Sequence, residues 1–223
     1  MKDELVIHNR PKSNISEDIR TIRTNLQFIS SDEEAKILLV TSSIPGEGKS
    51  FISSNLAAAF AQTGESTLLI DSDLRLGRIH KVFGLSNEKG FSNLLVGQNS
   101  VNFKDYIKKT EIENLFVITR GTVPPNPSEL LNSANTKKII EFLSEKFDRI
   151  IFDGVPINGL PDSLILAGIA DRVILVTAAG YTKIDELSDA KKALEKIDAK
   201  IAGVVVNKAN EAKRGRYSHY YES

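Results

Sequence analysis

The chain has 223 residues, 41% hydrophobic and 26% charged, with 29 lysines and arginines against 29 aspartates and glutamates. That length suits one compact domain or at most two small ones, and zero formal charge gives no global pull toward nucleic acid or a membrane surface. There is no cysteine, and the three histidines, His8, His80 and His219, lie far apart, which excludes disulfides, thiolate metal sites and a cysteine nucleophile and argues against a histidine metal cluster.

The start, MKDELVIHNRPKS, lacks the apolar run of a signal peptide, and no stretch reaches the ~18 apolar residues of a spanning helix. A soluble, cytoplasmic protein is the expectation. Residues 16–30, SEDIRTIRTNLQFIS, place Ile19, Ile22, Leu26 and Ile29 at helical spacing. Ser16 is a candidate cap, with Glu17 and Asp18 in the first turn. On a helical wheel Glu17, Arg20 and Arg23 lie on an arc largely opposite the apolar face, which is left to dock on the sheet.

Six apolar runs follow: KILLVT (36–41), STLLID (66–71), LFVIT (115–119), RIIFD (149–153), RVILVT (172–177) and AGVVVN (202–207). Nearly continuous apolar and β-branched residues predict strands buried on both faces, hence a parallel sheet. Helical patterns lie between them at 49–63 (closed by Gly64), 136–147, 162–170 and 183–197. Alternation of this kind predicts an α/β, doubly wound domain, with ligands beyond the carboxyl ends of the strands. Residues 87–114 are polar and irregular, an excursion on one face. The last segment, NEAKRGRYSHYYES, lacks aliphatics and cannot bury itself. The organisation is therefore an arm and helix over 1–31, a core domain over 32–209 and a tail over 210–223.

The stretch Thr41–Phe51, TSSIPGEGKSF, runs from a strand into a helix. Gly46, Glu47, Gly48, Lys49 and Ser50 have the pattern of a phosphate-binding loop, whose glycines turn backbone N–H groups toward an anion at a helix N-terminus. Ser43 stands where the strict pattern has glycine. Lys49 is placed for the β- and γ-phosphates and Ser50 for Mg²⁺. LLIDSDLR puts Asp71 and Asp73 at the end of the second strand, and RIIFDGVP puts Asp153 at the end of another. One such aspartate is commonly a turn former, but three beside a phosphate loop supply the oxygen ligands Mg²⁺ prefers. Arg75 has two readings, a brace for the aspartates or a phosphate, and a surface arginine in a polar turn. Asn207, after VVVN, is a candidate base contact or simply a turn residue.

PGEGKS, LLIDSDLR and IIFDGVP resemble the Walker A, A′ and B motifs of the bacterial protein-tyrosine kinases, the BY-kinases of capsule and exopolysaccharide operons, in the form whose kinase is a chain separate from its membrane activator. EDIRTIRTNLQF resembles that family's E-x-x-R-x-x-R oligomerisation helix, GTVPPNPSELL (121–131) another of its stretches, and Tyr217, Tyr220 and Tyr221 its C-terminal tyrosine cluster. The resemblance runs from about Pro11 to the end. It departs at Walker B, where the usual D-T-P-P is Asp153-Gly154-Val155-Pro156.

The resemblance implies a single P-loop domain like those of the ParA and MinD ATPases. It implies MgATP bound by Ser43, Pro45, Gly46, Glu47, Gly48, Lys49, Ser50, Phe51 and Asn207. Ser50, Asp71, Asp73 and Asp153 would support the metal. Catalysis would fall to Lys49, Asp71, Asp73 and Asp153, with Asp71 or Asp73 accepting the tyrosine proton. A tyrosine hydroxyl has a pKa near ~10, so carboxylate and metal both assist its attack. Autophosphorylation of Tyr217, Tyr220 and Tyr221 would pass between subunits, each phosphate adding about −1.5 to −2 charges and loosening a ring closed through Glu17, Arg20 and Arg23. The implied partners are the cytosolic tail of a membrane activator (a polysaccharide co-polymerase), which recruits the chain to the inner face of the membrane, and a cognate tyrosine phosphatase, with no nucleic acid. The implied role is control of polysaccharide synthesis and export. Two rivals share the fold: a ParA/MinD-type ATPase, whose signature lysine would stand at Ile44, and a non-catalytic nucleotide-gated regulator of export.

Overall fold

The computed structural model of the chain describes residues 4–29, 35–97 and 102–209. Two helices open it, α1 (Val6–Asn9) and α2 (Asn14–Ile29), followed by β1 (Ile37–Ser42), α3 (Lys49–Ala61) and β2 (Thr67–Asp71). Next come α4 (Ile79–Phe83), α5 (Phe91–Val96), β3 (Lys108–Lys109), β4 (Leu115–Ile118), α6 (Pro127–Leu131) and α7 (Ala134–Ser144). The chain continues through β5 (Arg149–Pro156), α8 (Asp162–Ala167), β6 (Arg172–Ala178), α9 (Ile184–Glu195) and β7 (Ile201–Asn207).

The strands form one sheet in the order β3-β4-β2-β5-β1-β6-β7, parallel except for the short β3. Side chains alternate across it. Leu38, Val40, Leu69, Ile151 and Ile174 enter one core with residues of α1 to α4; Leu39, Leu68, Ile70, Ile150 and Phe152 enter the other with α5 to α9. Burial on both faces is what continuous apolar runs encode. The fold is the expected doubly wound α/β domain.

Four local expectations are corrected. The AGVVVN run forms β7, an edge strand whose Val204 and Val206 are exposed, so only one of its neighbours is a strand. Composition alone does not distinguish such an edge from a central strand. The 87–114 excursion holds α5 and β3, and β3 pairs antiparallel with β4. The first long helix begins before Ser16. Ser13 Oγ accepts the Ser16 N–H at 3.3 Å, while the buried Ser16 hydroxyl bonds to the Arg10 carbonyl at 2.7 Å and the Val6 carbonyl at 3.2 Å. In α2, Ile19 and Leu26 are buried and Ile22 is partly buried, but Ile29 is exposed.

The charged arc of α2 is also divided. Arg20 pairs with Glu17 on the outer surface. Arg23 instead turns inward, and its Nη1 donates to the Ala59 carbonyl of α3 at 3.2 Å. The missing outward arginine follows from helical geometry, because position 23 lies nearer the buried Ser16 and Ile19 than position 20 does.

Candidate active site

The phosphate loop is held through its carbonyls. Tyr181 OH donates to the Pro45 carbonyl at 3.3 Å, Lys208 Nζ to the Gly46 carbonyl at 2.7 Å and Asn207 Nδ2 to the Glu47 carbonyl at 2.9 Å. Among the described residues no peptide bond is cis. In a trans peptide the N–H points away from the carbonyl, so these three contacts turn the amides of Gly46, Glu47 and Gly48 inward. Gly48 precedes α3 with φ +98°, and a Cβ there would fall 2.1 Å from Asn207 Nδ2. The inward amides and the N-terminus of a 13-residue helix together make an anion cradle.

Glu47 does not face that cradle. Its buried carboxylate accepts the Ile44 N–H at 2.8 Å and the Thr182 hydroxyl, tying the loop to the turn after β6. Ser43 is likewise fully buried beneath the loop, with no hydrogen-bond partner for its hydroxyl. Both side chains are thus buried away from the cleft, while the Glu47 amide belongs to the cradle. Pro45, Gly46, Gly48, Lys49, Ser50 and Phe51 line a cleft of about 640 Å³. Tyr181, Thr182 and Lys208 were not singled out by sequence, since no local pattern connects them to a loop more than 130 residues away.

The aspartates stand opposite. Asp71 and Asp153 are lateral partners on β2 and β5, and β5 adjoins the loop strand β1. Asp153 is not at a strand end, because β5 continues to Pro156 after a register shift against β1. Its Oδ1 accepts the Ser53 hydroxyl at 3.0 Å. Asp71 Oδ2 accepts the Ile79 N–H at 3.0 Å, whereas its buried Oδ1 has no partner. Asp73 lies past the end of β2, which closes at Asp71, so only Asp71 stands at the strand end. Asp73 Oδ1 accepts the amides of Arg75 and Leu76 at 3.1 and 2.8 Å, and this residue, unlike the other two, lines the cleft.

Burial governs the charges. It pushes the Asp71 carboxyl well up, and the neighbouring Asp153 adds to this against the Ile79 N–H. Burial also pushes Asp153 up to about 6, opposed by the Ser50 hydroxyl, Lys49 and the Ser53 hydroxyl. Lys49 is pulled down by burial, against the attraction of Asp153, Asp73 and Glu47. Two desolvated carboxylates with one orphaned oxygen suit a divalent cation, which would relieve their repulsion. Among the described residues no three acidic or histidine side chains converge as a complete cage. Such a site fits Mg²⁺, which takes few protein ligands and shares phosphate oxygens and water.

Gly154, where the family pattern has threonine, leaves no room for a larger residue. A Cβ there would fall 2.6 Å from Ser163 Oγ and 2.9 Å from Leu39 Cδ1. A hydroxyl is nevertheless present: Ser163 Oγ accepts the Val155 N–H at 2.9 Å and donates to the Val155 carbonyl at 2.7 Å. Arg75 holds neither Asp71 nor Asp73 by its side chain, but is paired with Asp162. Tyr217, Tyr220 and Tyr221 lie outside the described residues.

A glycine loop between β1 and α3, beside carboxylates on the paired strands β2 and β5, defines a P-loop nucleotide-binding domain. The family described as an AAA domain, AAA_31, matches residues 35–206. The tyrosine-protein kinase YwqD of Bacillus subtilis is 38% identical over 220 residues, 99% of this chain and 92% of that protein. The crystal structure of the chimerical protein CapA2B2 superposes with a TM-score of 0.89 at 37% identity, covering 94% of this chain and 91% of that one. The septum site-determining protein MinD of Pyrococcus horikoshii, at 22% identity and TM-score 0.67 over 83% of this chain and 75% of that one, shares the fold. The chain belongs to the bacterial tyrosine-protein kinase family.

Proposed function

We propose that the chain transfers the γ-phosphoryl group of MgATP to tyrosine hydroxyls, including Tyr217, Tyr220 and Tyr221 of a neighbouring copy. The observation that carries this reading is the buried Asp71–Asp153 pair, with its orphaned oxygen, across from the phosphate loop. Lys49 and the inward amides neutralise charge on the transferring group, as phosphoryl transfer requires. Ser50, Asp71 and Asp153 would hold Mg²⁺, which supplies charge neutralisation and alignment of the phosphates. Asp73, cleft-facing and with Oδ2 uncommitted, is the better placed base for the tyrosine proton, and Asp71 the deeper metal-side group. Asn207 braces the loop, and one amide hydrogen remains for an adenine base.

The same reading extends to assembly. The Glu17–Arg20 surface of α2 would contact a neighbouring copy in a ring, while Arg23 remains bound to α3. An exposed pair contributes ~0–1 kcal/mol, so such a ring would be reversible and salt-sensitive. A membrane activator's cytosolic tail would recruit and stimulate the chain at the inner membrane face, a tyrosine phosphatase would reset it, and polysaccharide synthesis and export would be the process controlled. Among the described residues no helix is long and apolar enough to cross a membrane.

Incubation of the purified chain with labelled ATP, followed by phosphopeptide mapping of the tail and a Lys49→Met control, tests the reading. Label on the tail tyrosines, lost in the control, supports it. Free phosphate without protein label would indicate an ATPase; neither product would indicate a nucleotide-gated regulator. Ile44, where the ParA/MinD group carries its signature lysine, weighs against the ATPase.

A further inference from the structure

One side-chain cluster at the cleft takes no part in the chemistry above. Arg75, in the turn that follows β2, is forked onto Asp162 at the start of α8: Nε donates to Oδ2 at 3.0 Å and Nη2 to Oδ1 at 3.3 Å. Nη2 also donates to Ser128 Oγ at 3.2 Å, and the Ser128 hydroxyl donates to Asp162 Oδ1. The Arg75 carbonyl accepts from Arg120 Nη1 at 3.0 Å. Two segments far apart in sequence, at Ser128 and Asp162, thus converge on one guanidinium, while Arg120 holds the backbone that carries it.

Exposure gives the cluster a direction. The Asp162 side chain is 1% exposed, while that of Arg75 is 36% exposed and lines the cleft. A buried carboxylate that binds one edge of a planar fork fixes where the rest of the guanidinium points. Nε and Nη2 are committed to Asp162 and Ser128, and Nη1 remains for a ligand. Beside it, Leu76 is 82% exposed at the cleft mouth, with Pro156 and Leu160 also on the lining. A large apolar side chain held in water next to a positioned cation and the Asp73 carboxylate suits an aromatic ring followed by an anion.

We propose that Arg75, positioned by Asp162 and Ser128, is the acceptor-recognition residue of this cleft. It takes an anionic group flanking the acceptor tyrosine, whose ring rests against Leu76. The assignment rests on the kinase reading. The chain's own Tyr220-Tyr221-Glu222 sequence has the required chemistry. The anion could be the carboxylate of Glu222 or the phosphate of an already modified neighbouring tyrosine, which present the same oxygens.

The test uses the full chain with MgATP and three acceptor peptides: residues 217–223, the same with Glu222→Gln, and the Gln peptide carrying phosphate on Tyr220. Wild type is expected to favour each anionic peptide over the neutral one by about tenfold in kcat/KM, the effect of one charge-assisted contact. Whichever anionic peptide is preferred identifies the source. Arg75→Gln should erase the discrimination without moving the KM for ATP, and Arg75→Lys should keep part of it. Asp162→Asn should reduce it to within about threefold, since a loosened fork retains charge but loses direction. If Asp162→Asn does not fold, Ser128→Ala loosens the same clamp and is read by the same ratio. Discrimination that survives Arg75→Gln overturns the assignment. Wild type that binds ATP yet labels none of the peptides overturns the kinase reading, and this assignment with it.

Discussion

Asp153 offers the sharpest test of how the site is charged. Its carboxyl is held at about 6 instead of the ordinary 3.8, with burial the largest cause. Between these values the folded state binds more protons than the unfolded one, so stability falls as pH rises through this window. Below about 4 the carboxyl is neutral in both states and the effect is absent. Above about 6 the full cost stands, about 3 kcal/mol at 1.36 kcal/mol per pKa unit. Asp153→Asn removes that ionisation and keeps an oxygen for the Ser53 hydroxyl. We expect the nucleotide-free variant, in chelator, to be more stable than wild type at pH 7.5 by about 1–3 kcal/mol, the lower end reflecting weaker hydrogen bonds to a neutral group. In a chain of this size that corresponds to a Tm rise of roughly 2–10 °C. The advantage should fall to about half by pH 5 and shrink toward zero near pH 4 and below. MgATP should stabilise wild type strongly and the variant little, and phosphoryl transfer should collapse in the variant. Urea denaturation across pH 4–8, with and without MgATP, reads all three. An Asn variant less stable than wild type at pH 7.5, or one whose difference ignores pH, would refute a desolvated carboxylate poised for a cation.

Other perturbations probe the loop and the aspartate turn. Lys49→Met should lower phosphoryl transfer by at least about 10²–10³-fold while leaving the fold intact, as read by tail labelling and thermal melting. Glu47→Gln presents an amide donor to Ile44 N–H or the Thr182 hydroxyl; it should cost about 1–3 kcal/mol in melting experiments and weaken ATP binding measured by calorimetry. Gly77→Ala would place a Cβ 2.2 Å from Asp71 Oδ1 and 2.5 Å from the Asp73 carbonyl, so both transfer and MgATP-induced stabilisation should be lost. Gly154→Ala should cost about 1–3 kcal/mol through contact with Ser163 and Leu39, part of which Ser163→Gly restores in the double variant.

The sequence by itself determined the layers and the chemistry-bearing loop. Continuous runs such as Leu38–Val40 and Ile150–Phe152 have no polar side for water, so they had to be central strands with helices on both faces. The glycine, lysine and serine pattern at 46–50 is local, because one strand-to-helix turn presents all its groups. Tertiary structure alone decided what is assembled at long range. The exposed valines of β7 carry the same composition as a buried strand, and their place at the sheet edge depends on strand order. Ile29 stays exposed because the packing on α2 does not reach it, whereas Arg23 turns inward because α3 offers the Ala59 carbonyl. The braces on the loop from Tyr181, Thr182, Asn207 and Lys208, and the fork of Arg75 on Asp162, join residues more than 80 positions apart. No periodicity encodes such pairs. They exist because a parallel sheet brings the carboxyl ends of separate strands to a single edge, where polar groups excluded from water must find one another.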